Sequence, residues 1–297
     1  VKQLVVLSGK GGTGKTTVAA ALADLASQQG RIVLADADVD ASNLELLLSA
    51  QEQERHAFFS SKVAAIDPEK CELCGLCQEL CRFDAVVSAP GGSEAFMIDP
   101  LACEGCAVCY LQCPAEAIRM EEPQNGLWFL SDTRFGPLVH AHLFAGQENS
   151  GKLVAEVRQR ASAIAREDGE AYIIIDGPPG IGCPVIAATV GADLALIVTE
   201  PTVAGTHDLE RILGVAAHFG VPRLVCINKY DINLNKAREI EGFCGALGID
   251  VIGHIPFDTA VTKAMVQGQP ITSYENGAVT QELRRLWRAL RERLAEG

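Results

Sequence analysis

The chain of 297 residues has a formal net charge of −13, with 48% hydrophobic and 21% charged residues. That balance builds a core, and it excludes a whole-surface nucleic-acid binder, because such binding needs Lys and Arg to neutralise phosphates. No run approaches the ~18 apolar residues that span a bilayer, and residues 1–7 read as a buried strand and not a leader, so a cytoplasmic protein without stable membrane association is expected.

In chain order, a strand over residues 3–7 leads into a glycine loop over 8–14, a helix over 15–29 and a strand over 32–36. Short apolar strands without alternation predict a parallel sheet covered on both faces. The rhythm breaks between about residues 51 and 123. It resumes with strands at 127–130, 172–175, 194–198, 224–227 and 251–255, separated by helices such as 152–166, 204–219 and 235–247. Alternation of this kind predicts a doubly wound α/β fold with a mostly parallel sheet.

The loop Gly9-Lys10-Gly11-Gly12-Thr13-Gly14-Lys15-Thr16 fits G-x-x-x-x-G-K-[ST] throughout. Its glycines let backbone N–H groups converge on phosphates at a helix N-terminus. Lys15 is expected to reach the β- and γ-phosphates, and the Thr16 hydroxyl to ligate Mg²⁺. Thr17 completes the run of candidate ATP-binding residues.

The extra lysine, Lys10, makes the loop K-G-G-x-G-K-T-T, which resembles the deviant Walker-A loop of the MinD/ParA/Mrp and nitrogenase-iron-protein ATPases. The resemblance implies a P-loop NTPase fold of the SimiBi type, ATP or ADP with Mg²⁺ as ligand, and a nucleotide-dependent homodimer, or heterodimer with a paralogue. Lys10 would reach the partner's phosphates across that dimer. Asp36-Ala37-Asp38-Val39-Asp40 looks like the family's first switch, with Asp38 as the hydrolytic aspartate and a Mg²⁺ contact; Asp36 and Asp40 stay open. Asp176-Gly177-Pro178-Pro179-Gly180 resembles Walker B joined to the second switch: Asp176 would hold Mg²⁺ through water, and the Gly180 backbone would sense the γ-phosphate. Asn228 and Lys229, then Pro256 and Asp258, resemble the adenine-side loops.

Eight of the eleven cysteines lie between Cys71 and Cys113, in a repeat whose two copies are 32 residues apart. Cys71, Cys74, Cys77 and Cys81, then Cys103, Cys106, Cys109 and Cys113, have the C-x₂-C-x₂-C-x₃-C spacing of bacterial two-cluster ferredoxins. Because the fourth ligand comes from the other copy, one [4Fe-4S] cluster is assigned to Cys71, Cys74, Cys77 and Cys113, and the second to Cys103, Cys106, Cys109 and Cys81. Zinc sites, the competing reading, usually use two separated Cys pairs. Residues 56–123 are therefore expected to form a small α+β ferredoxin domain inserted into a nucleotide-binding domain made of residues 1–55 and 124–297. Arg82 stands where the first repeat would usually have proline.

Together these readings resemble MinD-superfamily ATPases with an inserted ferredoxin domain. The expected function is ATP hydrolysis that gates electron transfer from two clusters to a redox or metallocofactor-containing acceptor protein. The alternatives are an iron–sulfur or metallocofactor assembly ATPase like Mrp and, third, a positioning ATPase like MinD or ParA. Three further features read as structural. Cys183 is expected to be a small buried cysteine, and His140 and His142, with Glu148 nearby, to be surface or capping residues. The stripe Leu283, Leu286, Trp287, Leu290, Leu294 is expected to be a core helix and not a membrane surface helix.

Overall fold

The computed structural model describes residues 1–60, 62–89, 95–147, 149–169 and 172–296. The chain divides into one unit of Val1–His56, Trp128–His142 and Ser150–Gly297, and a second of Ala57–Leu127 and Leu143–Asn149. The expected Glu148 lies outside the described residues.

The chain begins with β1 (Lys2–Ser8), α1 (Lys15–Ser27), β2 (Ile32–Asp36), α2 (Leu44–Leu47) and β3 (Gln51–Phe59). It continues with β4 (Val63–Ile66), α3 (Leu76–Leu80), β5 (Val86–Ser88), β6 (Phe96–Ile98), α4 (Val108–Gln112) and β7 (Ile118–Glu121). Then follow β8 (Gln124–Thr133), β9 (Gly136–Leu143), α5 (Ser150–Asp168), β10 (Tyr172–Pro179), α6 (Cys183–Thr189), β11 (Leu194–Thr199) and α7 (Val203–His218). The last elements are β12 (Arg223–Asn228), a 3₁₀ turn (Tyr230–Ile232), α8 (Leu234–Ala246), β13 (Val251–Ile255), α9 (Thr259–Val266), α10 (Ile271–Tyr274) and α11 (Ala278–Glu296).

The main sheet has nine strands in the order β13-β12-β11-β1-β10-β2-β9-β8-β3. Strand β1 runs parallel between β10 and β11, with Leu4 opposite Ile174 on one side and Leu194 on the other. Side chains on both faces of such a strand are covered, which is why Leu4 to Leu7 and Ile173 to Ile175 show no polar alternation. The chain leaves β1 toward β2 and only later supplies β10 between them. The C-terminal ends of β1 and its neighbours therefore form a topological switch point, where α/β sheets bind ligands.

Helix α11 contributes Leu283, Leu286, Trp287, Leu290 and Leu294 to the core, all nearly fully buried. Its ring Trp287 meets Tyr172 edge-on at 5.4 Å, so the apolar stripe is covered by the protein itself. No described helix is long and apolar enough to cross a membrane.

The second unit holds two antiparallel ribbons, β4 with β7 and β5 with β6. The short helix α3 lies between β4 and β5 in the chain, and α4 between β6 and β7.

Candidate functional site

Helix α1 starts at Lys15 directly after Gly14, whose φ of 90° is left-handed. A Cβ there would also come within 2.3 Å of Asn228 Nδ2, so the position accepts only glycine. Gly9 is closed differently: a Cβ would lie 2.4 Å from the Asp208 carbonyl oxygen. Gly11 and Gly12 face open space. The loop borders a cavity of about 860 Å³, which is lined by residues of the loop and by Asp38, Asp40, Asn228, Lys229, Pro256, Phe257, Asp258 and Met265. That volume suits a nucleotide-sized ligand.

Lys15 is buried, with its Nζ 2.8 Å from Asp176 Oδ1 and 3.8 Å from Asp38 Oδ2. Burial pulls the ammonium's pKa down, but the charge and hydrogen bond of Asp176, with Asp38 and Asp36 behind it, outweigh burial and move it up. Asp38 is pushed up to about 6 by burial, opposed by Lys15 and reinforced by Asp176. Asp36 is pushed up to about 7 by burial and by the charge of Asp176.

Asp36 has a different task from its neighbours. Its Oδ2 accepts from Ser42 Oγ at 2.8 Å, Leu44 N at 3.0 Å and Asn43 N at 3.1 Å, and its Oδ1 accepts from Asp38 N at 3.1 Å. It ties down the segment that carries Asp38 and leads into α2. Asp38, unlike Asp36, lines the cavity, where it is placed to meet a ligand.

Three carboxylates thus surround one lysine. Asp176 Oδ2 is buried and has no hydrogen-bond partner, a costly state for a carboxylate oxygen. A hard dication would relieve it, and oxygen ligands from Asp38, Asp176 and Thr16 are the donor chemistry Mg²⁺ selects. The residues present therefore fit Mg²⁺.

Lys10 turns away from this cluster. Its Nζ lies 2.7 Å from Glu200 Oε1 and donates to Thr202 Oγ1 at 3.4 Å. Lys229 reaches the same carboxylate at 3.3 Å and also donates to the Gly12 carbonyl. Burial would raise the pKa of Glu200, but the hydrogen bond and charge of Lys10, followed by Lys229, hold it low. Glu200 was absent from the sequence expectations. The available signal was its place just past β11, at the same sheet edge as the glycine loop.

Next to Lys229, Asn228 Nδ2 donates to the Thr13 carbonyl at 2.7 Å, and its Oδ1 accepts from Lys229 N. Asn228, expected beside the adenine, thus also tethers the phosphate loop. Asp258 caps α9 through Ala260 N. Phe257 and Met265, both partly exposed, supply apolar wall that the sequence reading missed. Gly180 does not line the cavity; its N–H donates to the Ser8 carbonyl at 3.0 Å.

Two structural expectations are corrected. Cys183 is exposed at the start of α6, whereas Cys226 and Cys244 are buried. His140 is buried at 2% exposure instead of lying on the surface, because β9 runs beside β2 inside the sheet. Burial, then the charge of His142, lowers its pKa to about 4.

In the second unit, Cys71, Cys74, Cys77 and Cys113 line one cavity of about 20 Å³, and Cys81, Cys103, Cys106 and Cys109 line another of about 20 Å³. Burial pushes the Cys77 and Cys109 thiols up, and neighbouring cysteines add to it. Among the described residues, no three thiols have ligand atoms all within 4.8 Å of one another, as sharing one metal ion would need.

Residues 4–271 match the family model described as the CobQ/CobB/MinD/ParA nucleotide binding domain. An uncharacterized protein of Methanocaldococcus jannaschii is 32% identical over 293 residues, covering 98% of this chain and 97% of that protein. The septum site-determining protein MinD of Synechocystis is 26% identical over 282 residues, covering 93% and 84%. In structure, the septum site-determining protein MinD of Pyrococcus horikoshii, solved with Mg-ADP, aligns with a TM-score of 0.59 at 16% identity, covering 97% of this chain and 95% of that one.

These similarities correct the expected cofactors and function. The named relatives are septum site-determining proteins, and the ligand seen in the structural relative is Mg-ADP. The two [4Fe-4S] clusters expected from the cysteine spacing have no counterpart in what these relatives are named for. Electron transfer to a redox acceptor has none either, nor does the assembly-factor alternative. The similarities support the expected ATPase of the MinD/ParA family, without favouring the positioning role that was the third expectation.

Proposed function

Because the chain belongs to the CobQ/CobB/MinD/ParA nucleotide-binding domain family, we propose that it is a Mg²⁺-dependent ATPase whose ATP-bound form is a dimer. The observation that carries this reading is the buried Lys15–Asp176 pair with Asp38 3.8 Å from the same ammonium, at the wall of a nucleotide-sized cavity.

In this reading the loop from Gly9 to Thr17 binds the phosphates, and Lys15 leaves Asp176 to meet the β- and γ-oxygens. Thr16, Asp38 and Asp176 would hold Mg²⁺, which neutralises charge developing on the phosphate oxygens. Asp38 orients the attacking water and takes its proton as the γ-phosphoryl oxygen bond breaks. Gly180 closes on the γ-phosphate from the second switch, while Asn228, Lys229, Pro256 and Asp258 border the base. Lys10 leaves Glu200 and reaches the phosphates of a second copy, where its charge compensates the reacting oxygens.

The test combines turnover and size. Asp38→Asn is expected to lower ATP hydrolysis about 100-fold or more while ATP affinity stays within about threefold, and to accumulate as an ATP-bound dimer in light scattering. Lys10→Ala is expected to bind ATP and remain monomeric. Hydrolysis unchanged by Asp38→Asn would overturn the catalytic assignment, and an ATP-bound Lys10→Ala dimer would overturn the role of Lys10.

A further inference from the structure

A second cluster of ligating side chains lies apart from the residues assigned to ATP. Strand β9 has His140 and His142 two residues apart, on one side of the strand. Helix α2 presents Glu45 to both: His140 Nδ1 is 3.0 Å from Glu45 Oε2, and His142 Nε2 is 3.1 Å from Glu45 Oε1. Among the described residues, this is the one group of three such side chains whose ligand atoms all lie within 4.8 Å of one another.

We propose that Glu45, His140 and His142 form a binding site for a first-row divalent transition metal ion of the Zn²⁺ class. Two imidazoles and one carboxylate are the borderline donor set that such ions select over Mg²⁺ or Ca²⁺. Spacing agrees with this. Ligand atoms about 2.0–2.2 Å from one ion, at tetrahedral or right angles, stand about 2.8–3.6 Å from each other. Both carboxylate–imidazole distances fall in that range, and all three ligand atoms lie within 4.8 Å of one another.

The second observation is the state of His140. It is 2% exposed, and its Nδ1 is buried with no hydrogen-bond partner. The nearby carboxylate oxygen lies within contact distance but outside hydrogen-bond alignment. On its other side, His140 Nε2 lies 2.9 Å from Ser131 Oγ. In the tautomer whose Nε2 donates to Ser131, Nδ1 turns a bare lone pair toward Glu45. Lone pair and carboxylate repel unless a cation lies between them. A hydrogen bond from the far ring nitrogen is also the arrangement that fixes a metal-ligating imidazole in place, and Phe129 stacks on the ring at a centroid distance of 4.9 Å. The His142 side chain is 40% exposed, which leaves a path for the ion and open positions for water.

The site lies one residue beyond the segment tied down by Asp36, whose carboxylate receives Leu44 N. A bound ion would join α2 to β9 directly after the first switch.

The experiment titrates the full chain with Co²⁺, without nucleotide, and counts bound ions by equilibrium dialysis alongside absorption spectra. Glu45→Gln and His142→Ala, both at partly exposed positions that spare the buried ring of His140, are compared with the unaltered protein. Cobalt taken up by thiols is common to all three and cancels in the difference. The expected result is one ion fewer per chain in each variant, with a difference spectrum lacking sulfur-to-cobalt charge-transfer absorption. Equal uptake by all three proteins, or a difference spectrum carrying that sulfur band, would overturn the site. Neither outcome depends on ATP hydrolysis.

Discussion

Lys10 and Glu200 form an ion pair with 2.7 Å between Nζ and Oε1, linking the second residue of the phosphate loop to the residue just past β11. The pair holds Lys10 beside Thr202. Any role for Lys10 in a second protomer therefore begins with the loss of this contact.

Glu200→Gln is expected to favour the dimer. A partly exposed ion pair contributes about 0.5–1 kcal/mol, and a symmetric dimer would release two. The ATP-dependent dimerisation constant should tighten by about 5- to 30-fold, read by sedimentation or light scattering across protein concentrations. Dimerisation equal to that of the unaltered chain would show that the pair does not restrain Lys10.

The acidic cluster should set an unusual pH dependence in nucleotide-free protein kept in chelator. Asp36 is raised to about 7 and Asp38 to about 6, against 3.8 for an ordinary aspartate. Between about pH 4 and 7 the folded state thus binds more protons than the unfolded one, and stability falls as pH rises through that window. The melting temperature should be about 2–6 °C higher at pH 5.5 than at pH 8, and Asp36→Asn should flatten this slope. Mg-ATP should reverse the preference by binding the ionised carboxylates.

Asn228→Ala tests the tether to the phosphate loop. Removing Nδ2 leaves the Thr13 carbonyl without its 2.7 Å partner, at a cost of about 1–3 kcal/mol. If the amide acts through the loop, ATP and GTP affinities should weaken by similar factors. Selective loss of ATP would instead reveal a contact to the adenine ring.

Leu290→Ala should lower stability by about 2–5 kcal/mol in denaturant titration, because the side chain is fully buried and a cavity would remain. A membrane-facing leucine would give a change near zero in the absence of lipid.

Wherever chemistry or packing depends on residues close in the chain, it was legible in the sequence. The loop from Gly9 to Thr17 can be read from spacing because its glycines, helix start and Lys15 act within one turn of backbone. The stripe from Leu283 to Leu294 is readable for a similar reason: the helical period alone places those residues on one face, and that face proved buried. The cysteine spacing was just as regular, yet the cofactor expected from it has no counterpart in what the relatives are named for.

Tertiary structure decided what chain neighbours could not. Glu200 meets Lys10 only because β11 lies beside β1 in the sheet, and nothing near Lys10 in the sequence announces it. Cys183 looked like core filler and is exposed, while His140 looked like a surface residue and is buried. Burial is set by which strand comes to lie alongside, and β2 beside β9 is a long-range pairing. The site of Glu45, His140 and His142 has the same origin. Its two histidines were visible as a pair, but the carboxylate that completes them comes from a helix about a hundred residues earlier.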